Sequence, residues 1–465
     1  MMGKWIEENR ERIIETSRKI WEYAEPGLEE YQSSKELQKL LEENGFHVET
    51  GFSGMGTAFK AVWGSGAPVI GYLGEFDALP ELSQKVGTQE EPLKEGSYGH
   101  GCGHNLLGTA SAAAAIDLRY RLEAEKRPGT VVFWGCPDEE VGCGKSYLTR
   151  DGMFDELDVA LTNHPGIANF VNEGIQSSVY TLDIEFWGRS SHAAAAPWDG
   201  RSALDAVELM LVGINYLREH VTKGISIHYI ITDGGERPNM VPKHASARVM
   251  FRGETIQKTR DVYQRVLKIA EGAALMTETS FEHTINNAFY SFNVNETLAK
   301  AAYDSLCECG PVQWTQEELN FAAKLQGRYD EDTILESIRN YVTDAGIPYL
   351  RDVVLHEGVT PYLGKPFYTK GSTDVSDVSW VVPTVELCTA CRPVGIAAHT
   401  WEQTSCAGMS IGQKGMLYAA QALSLTGYKL MTSPELLEQI KEEFAKSTEK
   451  GGYEPLLPAE KMPGR

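Results

Sequence analysis

The 465-residue sequence is poor in cysteine and contains no long apolar run. Eight cysteines are too few to predict a disulfide scaffold at this length. No apolar run approaches the roughly 20 residues that span a bilayer, which excludes a membrane-spanning helix. The first residues, MMGKWIEENRERI, are charged throughout and do not resemble an export signal. We therefore expect a cytoplasmic protein that does not enter a membrane.

Positive charge is also scarce in this sequence. Only 43 Lys and Arg residues stand against 65 Asp and Glu residues, which gives a formal net charge of −22. Such a surface repels polyanions, and we therefore expect no nucleic acid as a partner. The chain shows no internal repeat, and its length with 42% hydrophobic residues predicts two or more domains with packed cores.

Potential metal ligands are concentrated in the segment GHGCGHNLL at residues 99–107. His100, Cys102 and His104 are separated only by glycines and alternate with them. Imidazole and thiolate suit zinc or manganese, and the glycines allow a turn tight enough for two side chains to reach one ion. A chance cluster in a loop is the alternative interpretation, because short motifs need confirming context.

Further carboxylates and imidazoles follow the predicted strands. The segments PVIGYLGEFDALP, VVFWGCPDEE and DVALTNHPG each begin as an apolar strand, and they contain Asp77, Glu139 and Glu140, and His164. Helical segments lie between them, so the pattern predicts an α/β fold with a mostly parallel sheet and helices on both faces. Ligands of such sheets bind beyond the carboxyl ends of the strands, where we expect these side chains to meet.

The adjacent carboxylates Glu139 and Glu140 admit two interpretations. They could form an acidic turn at the start of the next helix, where negative charge is favourable. Alternatively, one could bind a metal ion while the other faces a bound water molecule. The metal interpretation is favoured because Cys102, His164 and His399 also lie in predicted loops after strands, so that oxygen, nitrogen and sulfur donors would converge.

Hydrophobic periodicity divides the chain. Residues 4–24 have the spacing of one amphipathic helix. From about residue 178 the hydrophobic pattern becomes that of a half-buried strand. The elements that follow give the order β-α-β-β-α-β of a ferredoxin-like unit. We therefore expect a larger α/β domain made of residues 1–178 and 296–465, with an α+β domain inserted at 179–295. His192 lies in that inserted domain among small residues, which argues against a core position.

Several motifs, in order, resemble those of the aminoacylase and glutamate carboxypeptidase superfamily of dinuclear metallo-amidohydrolases. They are GEFDALPELSQ, GHGCGHNLLG, the PDEE pair, SSHAAAAPWDGRSALDA, GSTDVSDVSWVVPT and AAHTWEQ, and they extend over nearly the whole chain. The resemblance implies a zinc-exopeptidase-like catalytic domain. It also implies that the inserted domain acts as a lid and as a dimerisation domain.

The resemblance further implies two divalent metal ions, zinc or manganese, with a bridging cysteine. The implied ligands are Cys102, His104, Glu140, His164 and His399. Glu139 would act as the general base and then protonate the leaving amine, while Asp77 would orient a liganding histidine. Many superfamily members have a metal-binding histidine two residues before this aspartate, and here that position is Glu75, which leaves one ligand set in question.

The remaining implied roles concern the substrate. His192 would reach across from a partner subunit and stabilise the tetrahedral oxygen, so activity would require a dimer. Asn239 and Arg252 of the inserted domain would bind the free carboxylate of the substrate. Three residues would line the cleft from the catalytic side: Gly371, Ser372 and Thr373.

The expected activity is hydrolysis of the amide bond of N-acyl or aroyl amino acids, with p-aminobenzoyl-glutamate as the favoured substrate. Alternatives are a hydrolase of another acyl-amino acid or dipeptide of the indole-acyl or β-alanyl type, a non-catalytic subunit of a heteromeric hydrolase, and a metal-dependent binding protein. We expect a homodimer or a heteromer with a homologous subunit. The CxxC pair of Cys388 and Cys391 cannot close a tetrahedral metal site alone, and we expect it to be structural.

Overall fold

The computed structural model describes residues 3–369, 371–449 and 451–464. Its strands are β1 (His47–Phe52), β2 (Met55–Ser65), β3 (Val69–Gly74), β4 (Gly129–Gly135), β5 (Val159–Gly166), β6 (Phe170–Val171), β7 (Gly174–Ile175), β8 (Ser178–Trp187), β9 (Ser226–Asp233), β10 (His244–Gly253), β11 (Ser280–Phe289), β12 (Phe367–Tyr368) and β13 (Thr384–Ala390).

The helices surround these strands in the sequence. They are α1 (Lys4–Glu8), α2 (Arg10–Tyr23), α3 (Tyr31–Glu43), α4 (His104–Glu125), α5 (Gly144–Arg150), α6 (Ala203–Leu217), α7 (Ile256–Thr277), α8 (Glu296–Cys309), α9 (Gln316–Gln326), α10 (Glu331–Arg339), α11 (Ile347–Leu350), α12 (Val375–Val378), α13 (Trp401–Ala407), α14 (Ser410–Thr432) and α15 (Pro434–Thr448). No helix in the described part of the chain is both long and apolar enough to cross a bilayer.

The larger sheet has the strand order β1-β2-β4-β3-β5-β13-β6. Its four middle strands, β4, β3, β5 and β13, are mutually parallel, while β1, β2 and β6 join antiparallel towards the edges. The prediction of a mostly parallel sheet is confirmed for the middle of the sheet. The antiparallel β1–β2 pair extends one edge, and it was not among the predicted elements.

Successive residues of the middle strands enter two different cores. Phe133 of β4 packs with the helices α2, α3, α4 and α14, whereas the next residue, Trp134, packs with α5 and α12 on the other face. Both side chains are almost fully buried, and burying a large apolar side chain stabilises the fold by about 1.5–3 kcal/mol. Helices therefore cover both faces of the sheet, as the sequence pattern predicts.

Helix α4 connects the glycine-rich motif to this core. All residues from Gly101 to Leu118 are buried, because α4 packs against both the sheet and α14. Its middle is a run of alanines, Ala112–Ala115, which allows close approach of the neighbouring backbones. The start of α4 is consequently fixed relative to the ends of the strands.

The inserted segment forms a second, fully antiparallel sheet with the order β11-β8-β10-β9. With α6 and α7 packed against it, the chain order is β8-α6-β9-β10-α7-β11, which confirms the predicted ferredoxin-like arrangement. Tyr180, Leu182, Ile184 and Phe186 of β8 all enter the core, in agreement with the alternating pattern. The domain boundaries at 178 and 295 stay a prediction.

The predicted first helix is in fact two helices. Helix α1 ends at Glu8 and α2 begins at Arg10, because Asn9 leaves the helical conformation with φ −114° and ψ 18°. Both the backbone N–H and the side-chain amide of Asn9 donate to the carbonyl oxygen of Trp5, each at 2.9 Å. Asparagine competes with the helical backbone in this way, and hydrophobic spacing alone does not reveal it.

Candidate metal centre and substrate cavity

Acidic and imidazole side chains meet at the carboxyl ends of the middle strands. Glu75 and Asp77 follow β3, while Glu139 and Glu140 follow β4. His164 lies inside β5 near its end, where it pairs with Cys388 of β13, rather than in the loop after the strand as predicted. Because these strands are parallel neighbours, their ends share one edge of the sheet, and the side chains are brought together there.

The glycine-rich turn places Cys102 and His104 at the start of α4. Gly103 is the N-cap residue of this helix and has φ 86°, in the left-handed region that favours glycine. A Cβ atom at this position would lie 2.8 Å from Nε2 of Gln403 and 3.0 Å from Cβ of Pro165. The turn therefore requires glycine, and it directs both side chains towards the ends of the strands.

Five predicted ligands form two overlapping groups that share one cysteine. Cys102, His104 and His164 form one group, and Cys102 with Glu140 and His399 forms the other. Within each group the potential ligand atoms all lie within 4.8 Å of one another. Sγ of Cys102 is 3.3 Å from Nε2 of His164, and Nε2 of His399 is 3.3 Å from Oε2 of Glu140. The thiol thus lies between two candidate ion positions.

His399 reaches this cluster from a loop with an unusual backbone conformation. Its φ of 62° is uncommon for a residue other than glycine. The N–H group of His399 donates to the carbonyl oxygen of Gly101 at 2.8 Å, which ties this loop to the turn that carries Cys102. Constrained backbones of this kind concentrate at functional sites.

Two buried atoms that make no hydrogen bond in the described part of the chain indicate that the cluster suits a cation. Nδ1 of His104 pairs with Oδ1 of Asp77 at 2.7 Å, so that Nε2 of the ring points into the cluster. This Nε2 atom and Oε1 of Glu140 are buried and make no hydrogen bond in the described part of the structure. A buried polar atom without a partner costs about 1–3 kcal/mol. The nitrogen, oxygen and sulfur donors fit zinc or manganese, which would satisfy both atoms.

Glu75 occupies the position of the superfamily's additional histidine, and it is balanced by a buried lysine. Oε2 of Glu75 lies 3.3 Å from Nε2 of His104, while Oε1 lies 2.6 Å from Nζ of Lys145. The same Nζ is 2.6 Å from Oδ1 of Asp374, and these side chains are almost completely buried. Sequence reasoning missed Lys145 and Asp374. The signal was Glu75 itself, because a buried carboxylate requires a cation nearby.

The electrostatics of the cluster favour proton transfer at Glu139. Burial, together with the charges of Glu75 and Asp374, raises the pKa of Glu139 well above its usual range. Burial likewise raises the pKa of Glu140 to about 7 and raises the pKa of the Cys102 thiol. A carboxyl group with a raised pKa accepts protons near neutral pH and can later donate them. Bound cations would instead favour the thiolate and carboxylate forms of the ligands.

Asp77 behaves differently from the other carboxylates in the cluster. Burial alone would raise the pKa of Asp77, but the neighbouring ring of His104 lowers it below the usual value. Oδ2 of Asp77 also accepts a hydrogen bond from the backbone N–H of Glu140 at 2.9 Å. Asp77 therefore stays ionised and fixes both the His104 ring and the Glu140 backbone.

A cavity of about 440 Å³ opens over the cluster, within the usual size range of small-molecule sites. Most of the predicted site residues line this cavity: Cys102, Glu139, Glu140, His164, Arg252, Gly371, Ser372, Thr373 and His399. His104 and Asp77 are buried behind this wall. The catalytic-domain and inserted-domain candidates thus face one space, with Arg252 contributed by the inserted sheet.

Two predicted site residues lie elsewhere. His192 and Asn239 are exposed in loops of the inserted domain and do not line the cavity of their own chain. They are neighbours, since the backbone N–H of Ala193 donates to the carbonyl oxygen of Asn239 at 3.1 Å and His192 forms a bridge with Met240. A movement or subunit contact that brings one of these two residues to a substrate would therefore bring the other as well.

Three other motif residues also lie outside the cluster. The ring of His100 is buried, and its Nε2 bonds the carbonyl oxygen of Ile20 at 3.0 Å, so the glycine-rich turn contributes two potential ligands rather than three. Cys388 and Cys391 are buried free thiols and belong to no potential ligand group among the described residues. Cys388 also lines the cavity, and the structural role of the pair stays a prediction.

Comparison with known proteins identifies the family. Residues 176–278 match the M20 peptidase dimerisation domain. The chain is 39% identical to one of the subunits of p-aminobenzoyl-glutamate hydrolase of Escherichia coli strain K12 over 467 residues, covering 98% of this chain and 97% of that protein. The chain belongs to the M20 family. It is an amide-bond hydrolase, as its family membership and its assembled cluster indicate.

Other M20 relatives share most of the chain. The Xaa-Arg dipeptidase of Mus musculus is 29% identical, and the match covers 94% of this chain and 90% of that protein. Among solved structures, an aminobenzoyl-glutamate utilization protein from Klebsiella pneumoniae superposes with a TM-score of 0.61 at 16% identity, covering 91% and 98% of the two chains. A dinuclear metal binding M20 peptidase from Bacillus subtilis has a TM-score of 0.58 at 17% identity, covering 92% and 100%. These two structures share the fold.

Proposed function

We propose that this M20 protein is a metal-dependent amidohydrolase that converts p-aminobenzoyl-glutamate to p-aminobenzoate and glutamate. The observation that carries the proposal is the single cavity that joins Glu139 and the ligand cluster to Arg252 of the inserted domain. A cluster suited to cations on one wall and a guanidinium on the other match an amide substrate with a free carboxylate. The particular acyl group rests on the 39% identity to the Escherichia coli protein.

The proposed cofactor is a pair of zinc or manganese ions held by the two groups that share Cys102. When bound, such ions lower the pKa of a water molecule and polarise the carbonyl group of an amide. Asp77 keeps Nδ1 of His104 occupied, so that Nε2 is the only ring nitrogen left for an ion. Oε2 of Glu75, whose other carboxylate oxygen pairs with Lys145, lies 3.3 Å from this Nε2 atom.

Glu139 moves the proton in the proposed reaction. As the water oxygen bonds to the carbonyl carbon, Glu139 removes its proton, for which a pKa raised above the usual carboxyl range is suited. When the C–N bond breaks, Glu139 returns that proton to the leaving nitrogen. One water molecule is consumed, and a carboxylate and a protonated amine are released, since the second proton of the water also leaves with the products.

Arg252 is the proposed anchor of the substrate's free carboxylate. Its guanidinium lines the cavity and has no ion-pair partner among the described residues, only a contact of 3.5 Å to Sδ of Met250. Guanidinium groups bind carboxylates with two parallel hydrogen bonds. Gly371, Ser372 and Thr373 line the same cavity from the catalytic domain and would define the opposite side of the substrate site.

We further propose that His192 and Asn239 act in the site of a second subunit. Both residues fall within the matched dimerisation domain at 176–278 and are exposed in their own chain. From a partner subunit, His192 would donate to the oxygen of the tetrahedral intermediate, while Asn239 would help to bind the substrate carboxylate. The partner is a second copy or a homologous subunit, since the Escherichia coli relative is itself named a subunit.

A cytoplasmic location stays part of the proposal. All eight cysteines are free thiols, and six of them are buried, including Cys102, which the proposed cofactor site needs in its reduced form. A reducing compartment keeps such thiols available.

The deciding experiment measures glutamate released from p-aminobenzoyl-glutamate by the purified protein after chelation and after addition of manganese or zinc. We expect loss of turnover on chelation and its return with metal. Absence of turnover with two bound metal equivalents would favour another acyl-amino acid, and Xaa-Arg dipeptides are the next substrates to test because of the 29% identity to that dipeptidase.

Replacement of Glu139 by Gln separates catalysis from binding. We expect Glu139→Gln to lower kcat by about 100-fold or more, because general acid–base groups contribute about 10²–10⁴-fold. Metal content, measured by atomic absorption, should be unchanged because Glu139 is not one of the five proposed ligands. Full activity of the variant would contradict the mechanism, and it would leave the non-enzymatic alternatives of a binding protein or a regulatory subunit to be tested by substrate titration.

A further inference from the structure

The cavity contains a carboxylate that the proposed reaction does not use. Glu386 lies in β13 and lines the cavity together with Asn172 and Gln176. It is only 6% exposed and stands two residues before Cys388, which pairs with His164. Because side chains two apart in a strand share a face, Glu386 is on the same side of the sheet as the metal cluster.

The wall around Glu386 offers more hydrogen-bond acceptors than donors. Oε1 of Glu386 accepts from Nδ2 of Asn172 at 2.8 Å and from Nε2 of Gln176 at 3.4 Å. Both amide donors are therefore directed to a single carboxylate oxygen. If the Gln176 amide were flipped, its oxygen would face the carboxylate of Glu386 and the two acceptors would repel each other. The amide orientation of Gln176 therefore follows from the hydrogen-bonding pattern.

The second oxygen of Glu386 has no partner of its own. In the described part of the chain, Oε2 of Glu386 makes no hydrogen bond and no ion pair, and this oxygen is not fully buried. The free oxygen is therefore accessible from the cavity. Oε1 of Gln176, on the same wall, is buried and also without a partner. Of these two acceptors without a donor, Oε2 of Glu386 is the one that a donor in the cavity can reach.

The energetics favour a donor from the ligand. Burial, aided by the nearby charge of Glu75, raises the pKa of Glu386 to about 7. A buried carboxylate is costly unless it is paired and hydrogen-bonded, so an N–H group delivered by a ligand would recover part of that cost. A substrate without such a donor would leave the oxygen unpaired.

We propose that Glu386 is a specificity-determining residue that accepts a hydrogen bond from a nitrogen of the substrate carrying at least two hydrogens. The inference rests on the proposed function, whose substrate class it narrows. Such a nitrogen has two possible sources, an arylamine on the acyl side or a basic side chain on the amino-acid side. Recognition by a buried acceptor discriminates strongly against analogues that lack the donor.

The test uses pairs of substrates in which one member carries the donor and the other lacks it. With manganese-loaded enzyme, kcat/KM is compared for p-aminobenzoyl-glutamate and benzoyl-glutamate, and for benzoyl-arginine and benzoyl-norleucine. We expect at least a tenfold preference for the donor-bearing member of one pair, and the pair that shows it identifies the source. In Glu386→Gln the preference should fall to less than threefold.

A binding measurement keeps the inference separate from the proposed function. Isothermal titration of p-aminobenzoate against benzoate, and of arginine against norleucine, needs no turnover. If no conjugate is hydrolysed but a tenfold preference appears in binding and disappears in Glu386→Gln, the proposed function is wrong and the inference stands. If the conjugates are hydrolysed and both pairs show equal kcat/KM and equal affinity in the wild type, the inference is overturned.

The control variant is Glu357→Gln, which removes an exposed carboxylate outside the cavity. It should retain the full donor preference in both assays. A similar loss of preference in Glu357→Gln would assign the effect to net charge and overturn the role of Glu386. The comparison of substrates on the wild-type protein remains decisive if Glu386→Gln fails to fold.

Discussion

At the residue scale, the central feature of the site is a buried lysine that balances two carboxylates. Nζ of Lys145 lies 2.6 Å from both Glu75 and Asp374, and burial of these side chains is almost complete. Because Glu75 stands beside the His104 ring, a shift of this ion network would change the position of a proposed ligand. The network thus links the stability of the fold to the geometry of the cluster.

Replacing Lys145 by Met should destabilise the protein strongly. Removing one partner of a buried ion network leaves uncompensated charge, and the expected loss in the free energy of unfolding is about 3–5 kcal/mol. Urea denaturation followed by circular dichroism measures this loss. The control is Lys300→Met, whose exposed ion pair with Asp304 should contribute about 1 kcal/mol or less. Equal losses in the two variants would contradict the proposed role of Lys145.

His244 supplies a pH-dependent contribution within the inserted domain. Partial burial lowers the pKa of His244, but its hydrogen bonds to Glu185 and Asp233, at 3.0 and 2.8 Å, raise it above the usual value. The folded state therefore binds the proton more tightly than the unfolded state. This contribution is complete below about pH 6.5 and is lost as the pH rises through the folded pKa.

The corresponding prediction concerns the pH profile of stability. Between pH 6 and pH 8.5, the contribution of His244 to the free energy of unfolding of the wild type should fall by less than about 1 kcal/mol, because its ion pairs with Glu185 and Asp233 are partly exposed. The His244→Gln variant should not show this decrease. Urea titrations across this range measure the difference between the two proteins. His228→Gln, an exposed histidine on β9, is the control and should keep the wild-type profile. A difference of opposite sign would refute the assignment.

At the element scale, the sequence predicts the parts of the fold whose signal is local. Apolar runs that end in Asp77, Glu139 and His164 identify three middle strands, and the carboxyl ends of parallel strands must share an edge. The order β-α-β-β-α-β of the inserted segment is likewise readable from periodicity. The five proposed ligands, in contrast, come from the resemblance to the metallo-amidohydrolase superfamily, and each lies at or near the end of a strand or helix.

The elements and residues that were missed depend on distant partners. The β1–β2 pair borders β4, far away in the sequence, and Asn9 breaks the first helix through its own side chain. Lys145 is unremarkable in the sequence because its partners, Glu75 and Asp374, lie 70 residues before it and 229 residues after it. Glu386 looks like an ordinary strand residue until the cavity is seen. Such pairings arise from packing and leave no local pattern.

The start of α4 gives a prediction at this scale. Gly103→Ala should lower the free energy of unfolding by about 1–2 kcal/mol, because a left-handed conformation is costly for residues with a Cβ atom. It should also weaken metal binding, since Cys102 and His104 flank the altered position. Urea denaturation and competition with a chromophoric chelator measure the two effects.

The matched control for this prediction is Gly272→Ala in α7. A Cβ atom at Gly272 would have open space, and the residue lies within a helix, so alanine should stabilise the protein by about 0.5–1 kcal/mol. Metal affinity should not change in this variant. If Gly103→Ala were as well tolerated as Gly272→Ala, the turn would not require a left-handed glycine.

At the scale of the whole molecule, the sites are incomplete within a single chain if His192 and Asn239 take part in catalysis. Both are exposed on the inserted domain, while the cavity contains Glu139 and the ligand cluster. Isologous dimers place the same surface of each chain against the other, so one contact completes two sites. The matched dimerisation domain at 176–278 contains both residues and favours this arrangement over closure within one chain.

Hybrid dimers distinguish a contribution from the partner from one within the same chain. The variants His192→Ala and Glu139→Gln should each be nearly inactive alone. Co-expressed with different affinity tags and purified as a hybrid, they should regain roughly half of the wild-type kcat per dimer, because one of the two sites then has both residues intact. If His192 served its own chain, neither site of the hybrid would be complete and the hybrid would stay inactive. Recovery of activity therefore requires that the dimer, rather than the monomer, is the catalytic unit.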